Sequence, residues 1–240
     1  MTPTLRVCAL YPELMNIYAD RGNIAVLRAR CEWRDLGFEY ASATVGDQLD
    51  PAASDLFYIG GGQDRDQIAV AEDMGATKRD ALHAAADRGA VVLGVCGGYQ
   101  LLGRSYQLGE RELPGIGLVG LRTVREDGPR LIGNCAIESD IGGDARTIAG
   151  FENHGGRTYL DDPSLALGRV LAGHGNNGSD GYEGVHDRNV VGTYLHGPLL
   201  PKNAWLADRL IELALEIELE PLDDRLEDAA HASARRAAGV

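Results

Sequence analysis

VVLGVCGGYQLLG, residues 91–103, joins one apolar run to another through a single cysteine set among glycines. The first run is short, valine-rich and preceded by Gly89, the pattern of a buried strand, and the second opens a helix. Gly94-Val95-Cys96-Gly97-Gly98 therefore has the form G-x-nucleophile-x-G, a strand-to-helix elbow. Such a turn strains residue 96 and crowds its neighbours, so glycines flank it. The sulfur then stands at a helix N-terminus, where partial positive charge favours thiolate, and the Gly97 N–H can meet an oxyanion. Three roles fit these residues: a small buried hydrophobe, the closure of a phosphate loop, or a nucleophile. The chain has no G-x-x-x-x-G-K-[ST] and no lysine beside this loop, which removes the phosphate reading.

The segments around the elbow alternate in the same way. Leu5–Leu10 reads as a strand, followed by a helix from about Asp20 to Asp35, with Asp20 as N-cap and Gly37 as stop. Phe38–Val45 and Asp55–Ile59 read as further strands, the second ending in Gly60–Gly62. Glu72–Arg88 reads as an alanine-rich helix closed by Gly89, and Ala90–Val95 as the strand entering the elbow. This order predicts an α/β fold, with a mostly parallel central sheet flanked by helices. In the second half Gly115–Val124, Arg130–Glu138, Thr147–Phe151, Arg169–Ala172 and Val190–Leu195 read as short strands between Gly- and Asn-rich turns. They are expected to be antiparallel, extending the sheet or packing beside it. Asn203–Leu219 has the apolar spacing of a closing helix, and the tail from Pro221 is charged, then alanine-rich. The expected layout is one domain over residues 1–220, with 221–240 a peripheral helix or loosely held.

Within 240 residues, 23 basic side chains face 36 acidic ones, a formal charge of −13. That balance excludes a chain whose main work is gripping nucleic acid or an anionic membrane. Apolar runs such as Ala90–Cys96 and Val190–Leu195 are far too short to span a bilayer, so no membrane insertion is expected. The N-terminal MTPTLRVCALYPEL has no signal-peptide pattern, and Cys8, Cys31, Cys96 and Cys135 form no C-x-x-C pair. A reducing cytoplasm is the expected location, with no metal site.

A cysteine nucleophile needs a base. Among six histidines, His83 sits in a charged helix, His231 in the tail, and His174 and His186 in polar loops. His196 follows the apolar strand VVGTYL directly, at the sheet edge where α/β active sites gather, and is the favoured base. His154, in FENHGGRT, is the runner-up. YIGGGQDRDQ leaves glycine N–H groups after a strand, a source of a second oxyanion donor or a carboxylate seat. GFENHGGRT suggests backbone contact with a small polar ligand, and Arg130 could pair with a substrate carboxylate.

Together, YIGGGQDRDQ, VCGGYQLLG, FENHGGRTYL and GTYLHGPLLPKN resemble the class I glutamine amidotransferases of the cobyric-acid-synthase-like branch. With YPELMNIYADRGNI, the likeness narrows to the glutaminase subunits of lipid II isoglutaminyl synthases, and it runs from Tyr11 to Asn203. The resemblance implies a mechanism. Cys96 would attack the carboxamide of L-glutamine and form a γ-glutamyl thioester, with His196 activating the thiol and protonating the leaving ammonia. Arg130 matches a substrate-binding arginine, Gly62 and Gly97 would supply oxyanion N–H groups, and Gln100, Asn153 and His154 would contact substrate. No cofactor is expected in this chain. Ammonia would pass to a Mur-ligase-like partner in a heterodimer. That partner would carry ATP and magnesium and reach lipid II, converting its D-glutamate to D-isoglutamine. One departure stands out: many class I members carry H-x-E, whereas Gly197 and Pro198 follow His196. Either a distant acid or the partner is expected to orient the imidazole. Alternatives are amidation of corrinoids, whose glutaminases are usually joined to an ATP-binding domain that would precede this chain's first strand, a stand-alone thiol amidase or peptidase, and a non-catalytic scaffold.

Overall fold

Strands that are apolar on both faces must lie between two layers, and here helices and further sheets supply them. The structure is a computed structural model that describes residues 2–16 and 21–240; the expected N-cap Asp20 lies outside the described residues. The first half runs β1 (Thr4–Leu10), α1 (Arg21–Glu32), β2 (Gly37–Ala43), β3 (Leu56–Ile59), α2 (Asp64–Asp73), α3 (Arg79–Asp87), β4 (Val91–Val95) and α4 (Gly97–Leu102). Then follow β5 (Ser105–Leu108), β6 (Arg111–Pro114), β7 (Leu121–Arg125), β8 (Leu131–Ser139), β9 (Arg146–His154), β10 (Gly156–Leu160) and β11 (Gly168–Ala172). The chain ends with β12 (Tyr182–Glu183), β13 (Val185–Asp187), β14 (Val190–Thr193), α5 (Leu199–Lys202), α6 (Ala204–Leu215) and α7 (Arg225–Ala238).

The central sheet has six strands in the order β13-β14-β4-β3-β1-β2, all parallel except the β13–β14 pair. This is the α/β architecture expected from the strand–helix alternation. The second half builds two four-stranded sheets beside it, β10-β7-β5-β6 and β12-β11-β8-β9. One apolar core lies on each face of the central sheet. Phe57, Ile59, Val92 and Tyr99 belong to one, and Leu56, Leu93, Val95 and Leu206 to the other.

Several expected boundaries move. The helix expected from Glu72 begins at Asp64, directly after the glycine loop, and passes through a π-helical turn at Met74–Lys78 into α3. That turn shifts the phase of the apolar face, so the two halves do not read as one periodic stripe. Lys78 sits at the seam, fully buried and paired with Asp73. Gly115–Val124 is strand only from Leu121; before it, Ile116, Gly117 and Leu118 donate to the Leu101, Gly103 and Leu102 carbonyls at the end of α4. The loop thus satisfies a helix C-terminus instead of a ladder. Strands β5, β6, β10, β12 and β13 carry little apolar patterning and depend on their partners. The closing helix stops at Leu215, where Glu216 takes a left-handed φ of 54°.

The tail helix α7 has no buried residue. Arg30, 1% exposed on α1, binds Asp208 of α6 and Asp224 just before α7, at 2.7 and 2.8 Å in its longest contacts. Asn134 Nδ2 donates to Ala237 O over 2.9 Å, which holds the far end.

Candidate active site

β4 lies between β3 and β14, and the carboxyl ends of all three strands open on one edge. β4 ends in Cys96, β3 in the loop Gly60–Gly62, and β14 leads through Tyr194 and Leu195 to His196. Three segments far apart in sequence are therefore delivered to one place by strand order alone. Cys96 has φ 52° and ψ −106°, a conformation that costs an ordinary residue about 1–3 kcal/mol. The strain is held by the Cys96 N–H, which donates to Thr193 O over 2.8 Å, and by the Gly98 N–H, which donates to Gly60 O over 3.0 Å. The elbow thus ties β4 to both flanking segments.

The glycines after Cys96 are required by close approach. A Cβ on Gly98 would stand 2.3 Å from Ile59 O. One on Gly97 would stand 2.3 Å from Gln67 Nε2 and 3.2 Å from Gly62 N. Gly62 and Gly97, the two expected oxyanion donors, are therefore brought together, and neither N–H donates to a backbone carbonyl among the described residues.

A cleft of about 520 Å³ opens over the sulfur, lined by Gly62, Cys96, Gln100, Arg130, Asn153 and His154 among others. Cys96 is half-buried, whereas Cys8, Cys31 and Cys135 are buried elsewhere; burial pushes the Cys8 and Cys31 thiols up to about 11 and Cys135 higher still. Only Cys96 combines access with an elbow, which disfavours the core-filling reading.

His196 is fully buried behind the cleft, its backbone paired both ways with Phe151 of β9 at 3.0 Å. Burial, with the charges of His154 and Lys202, pushes its imidazole down to about 4. It is therefore neutral near pH 7 and able to accept a proton.

The remaining expected contacts divide. Arg130 donates from Nε to Asn153 Oδ1 at 2.9 Å and from Nη2 to Asn153 O at 2.8 Å, so Asn153 fixes the plane of the guanidinium. His154 donates from Nδ1 to Gly156 O at 2.8 Å, stacks on Tyr194 at 3.5 Å, and turns Nε2 toward Glu152 Oε2 at 3.8 Å. These ties make it a wall of the site that acts on His196 through its charge. Gln100 Nε2 donates to Tyr194 OH over 3.1 Å, leaving its carbonyl end for the cleft. Beneath Tyr194, buried Glu183 accepts from Tyr194 N at 2.6 Å and Thr193 Oγ1 at 2.9 Å, and burial pushes its carboxyl up to about 8.

Sequence reasoning missed Gln67, Arg125 and the β5–β6 hairpin at Gln107–Gly109, all of which line the cleft. Gln67 stood inside the quoted YIGGGQDRDQ, four residues after Gln63 and thus one helical turn on. Arg125 and the hairpin gave no local signal.

A CobB/CobQ-like glutamine amidotransferase domain matches residues 6–204. The chain belongs to that family. Among relatives, the lipid II isoglutaminyl synthase (glutamine-hydrolyzing) subunit GatD of Staphylococcus aureus is 42% identical over 213 residues, covering 87% of this chain and 85% of that one. The GatD subunit of Streptococcus pneumoniae is 39% identical, covering 88% and 81%. A probable cobyric acid synthase of Methanopyrus kandleri is 43% identical over 136 residues, but only 24% of its length is covered. Among solved structures, PurLQS from Thermotoga maritima aligns with a TM-score of 0.59 at 22% identity, covering 90% of this chain and 99% of that one, a likeness of fold. This amidotransferase chain has no helix, among its described residues, long and apolar enough to cross a membrane.

Proposed function

We propose that this amidotransferase is the glutaminase subunit of a lipid II isoglutaminyl synthase. The observation that carries the reading is the strained Cys96 elbow between the glycine loop and neutral His196, in a chain 42% identical to a subunit of that name over nearly its whole length. Cys96 Sγ attacks the carboxamide carbon of L-glutamine while His196 takes the thiol proton. The oxyanion is met by the Gly62 and Gly97 N–H groups. The C–N bond breaks, His196 returns its proton to the leaving nitrogen, and ammonia departs. Water then cleaves the γ-glutamyl thioester to glutamate. Arg130, held flat by Asn153, pairs with the substrate α-carboxylate.

Ammonia passes to a Mur-ligase-like partner that binds ATP and magnesium and activates the α-carboxyl of D-glutamate in lipid II, in the cytoplasm. Both charges that act on His196 oppose its protonation, and Pro198 stands where H-x-E would place a carboxylate. An acid supplied by the partner, or by a distant part of this chain, would hold the imidazole and tie glutamine hydrolysis to assembly.

The test combines the chain, the partner, glutamine, ATP, magnesium and lipid II, with amidated lipid II as the readout. Cys96→Ser is expected to abolish product from glutamine and to retain it from added ammonium. Ammonia release without amidated product overturns the acceptor, and glutamine-dependent product from Cys96→Ser overturns the thioester.

A further inference from the structure

Two arginines meet over Gly155, the single residue that links β9 to β10. β10 pairs with β7 so that Gly156 lies opposite Arg125, and β8 pairs with β9 so that Leu131 lies opposite His154. Arg125 therefore arrives from one four-stranded sheet, and Arg130, directly before β8, from the other. A Cβ on Gly155 would stand 1.8 Å from Arg125 Nη1 and 3.4 Å from Arg130 Nη1. The side chain that Gly155 lacks is thus the space the Arg125 guanidinium occupies, and the two guanidiniums are close neighbours. Arg130 spends Nε and Nη2 on Asn153, which leaves Nη1 without an acceptor among the described residues. Arg125 donates only from its backbone N–H, to Gln107 Oε1 over 3.0 Å, and its guanidinium donates to none of the described residues. Arg157, 6% exposed, donates to Gly155 O over 3.2 Å and to Pro129 O over 2.8 Å, carbonyls rather than carboxylates. None of the three forms an ion pair among the described residues, in a chain with a formal charge of −13. Like charges gathered without a counter-ion repel, and an anion placed between them removes that cost.

Arg125, Arg130 and Gly155 line the same cleft as Cys96. Beside Gly155, a Cβ on Gly156 would stand 2.8 Å from Gln100 Nε2, and Gln100 lies one helical turn beyond Cys96. The α-carboxylate of glutamine is four carbon–carbon bonds from its reacting carbon, about 5 Å when extended. We propose that Arg125 is a second substrate-recognition residue: its guanidinium and that of Arg130 take the glutamine α-carboxylate between them, one oxygen on each Nη1. The inference rests on the proposed reading in which Cys96 attacks glutamine and Arg130 pairs with that carboxylate. Asn153 orients Arg130, Gly155 makes room for Arg125, and Arg157 braces the backbone beneath them. A neutral group at that carbon gains nothing from the second charge. The pair therefore selects a ligand by its carboxylate, apart from the carboxamide that reacts.

The experiment uses the full chain with its synthetase partner and compares L-glutamine with L-glutaminamide, in which the α-carboxylate is a neutral carboxamide. Arg125→Gln is expected to lower kcat/KM about 10- to 50-fold on glutamine, almost wholly through KM, and less than about twofold on glutaminamide. Arg125→Lys, which keeps the charge but not the planar fork, is expected to recover glutamine turnover to within about fivefold of wild type. Arg125 is exposed at the end of β7, so neither variant disturbs the core. Alkylation of Cys96 repeats the comparison without turnover. 6-Diazo-5-oxo-L-norleucine, which carries the α-carboxylate, is expected to react about 10- to 50-fold more slowly with Arg125→Gln, and iodoacetamide, which lacks it, within about twofold of wild type. Equal losses on glutamine and glutaminamide overturn the proposal, as does a fall confined to kcat, or no change on either substrate. A wild-type complex that releases ammonia from neither substrate overturns the glutaminase reading itself, a separate outcome.

Discussion

Replacing Gly97 and Gly98 one at a time by alanine separates the chemistry of the elbow from its packing. At Gly98 the new methyl would stand 2.3 Å from Ile59 O and 2.8 Å from Ile59 C, both backbone atoms of a central strand. Neither can swing aside, so α4 must retreat from β3 by about 1 Å, an overpacking strain worth about 1–3 kcal/mol. Alanine returns up to about 1 kcal/mol of helix propensity, leaving a net loss of about 1–2 kcal/mol. In a chain of this size that lowers Tm by about 2–8 °C. At Gly97 the nearest atom is instead Gln67 Nε2 at 2.3 Å, the end of a flexible side chain, with Gly62 N next to it at 3.2 Å. Gln67 can rotate out, losing one buried hydrogen bond of about 1 kcal/mol that the helix-propensity gain offsets. Tm should stay within about 2 °C, while the methyl stands 3.2 Å from Gly62 N, beside the two N–H groups proposed as oxyanion donors. Loss of such donors costs about 100- to 1000-fold in kcat. Scanning calorimetry and steady-state ammonia release measure the two quantities on the same preparations. A Gly97→Ala enzyme with wild-type kcat, or a Gly98→Ala enzyme with unchanged Tm, would refute the geometry on which this rests.

Other expectations follow from groups around the elbow. His196 is pushed down to about 4 by burial and by His154 and Lys202, so carbon-labelled histidine spectra should show it neutral and untitrated from pH 7 down to pH 5; an inflection near 6.5 would contradict the burial. The unfolded chain binds that proton at higher pH than the fold does, so this group makes stability fall as pH drops from about 6.5 toward 4. Glu183 has the opposite sign. Its carboxyl is raised to about 8, so the fold holds a proton that the unfolded chain has lost, and stability declines as pH rises from about 4.5 to 8. Glu183→Gln should remove that decline, read as a Tm that no longer falls between pH 6 and 9. Arg30→Met leaves Asp208 and Asp224 without their shared partner, at about 2–4 kcal/mol, and limited proteolysis should then cut between Glu216 and Asp224.

The central sheet and the elbow were legible because both are set by local rules. Val91–Val95 is apolar throughout, Gly94, Gly97 and Gly98 leave room for a tight turn, and the strand–helix alternation forces parallel pairing. The same rules failed where a segment depends on a distant partner. Ser105–Leu108 and Arg111–Pro114 become strands because they pair with each other and the first also pairs with Leu121–Arg125, and the turn between them forms a wall of the cleft. Asn153, expected to touch substrate, lines the cleft; its side chain also accepts from Arg130, a relation that spans 23 positions and has no period to betray it.

The histidines show most clearly what strand order adds to sequence. His196 was favoured because it directly follows the apolar VVGTYL, with His154, in the polar FENHGGRT, the runner-up. The register Thr193↔Val95 puts the residue after β4 level with the segment that leads to His196. His154 enters from the neighbouring sheet, with Nδ1 committed to Gly156 O and its ring face against Tyr194. An imidazole bonded at one nitrogen and packed over a ring cannot turn to collect a thiol proton without breaking both contacts. Burial holds the His196 imidazole neutral near pH 7, and it is reached from the strand next to the one that ends in the elbow cysteine.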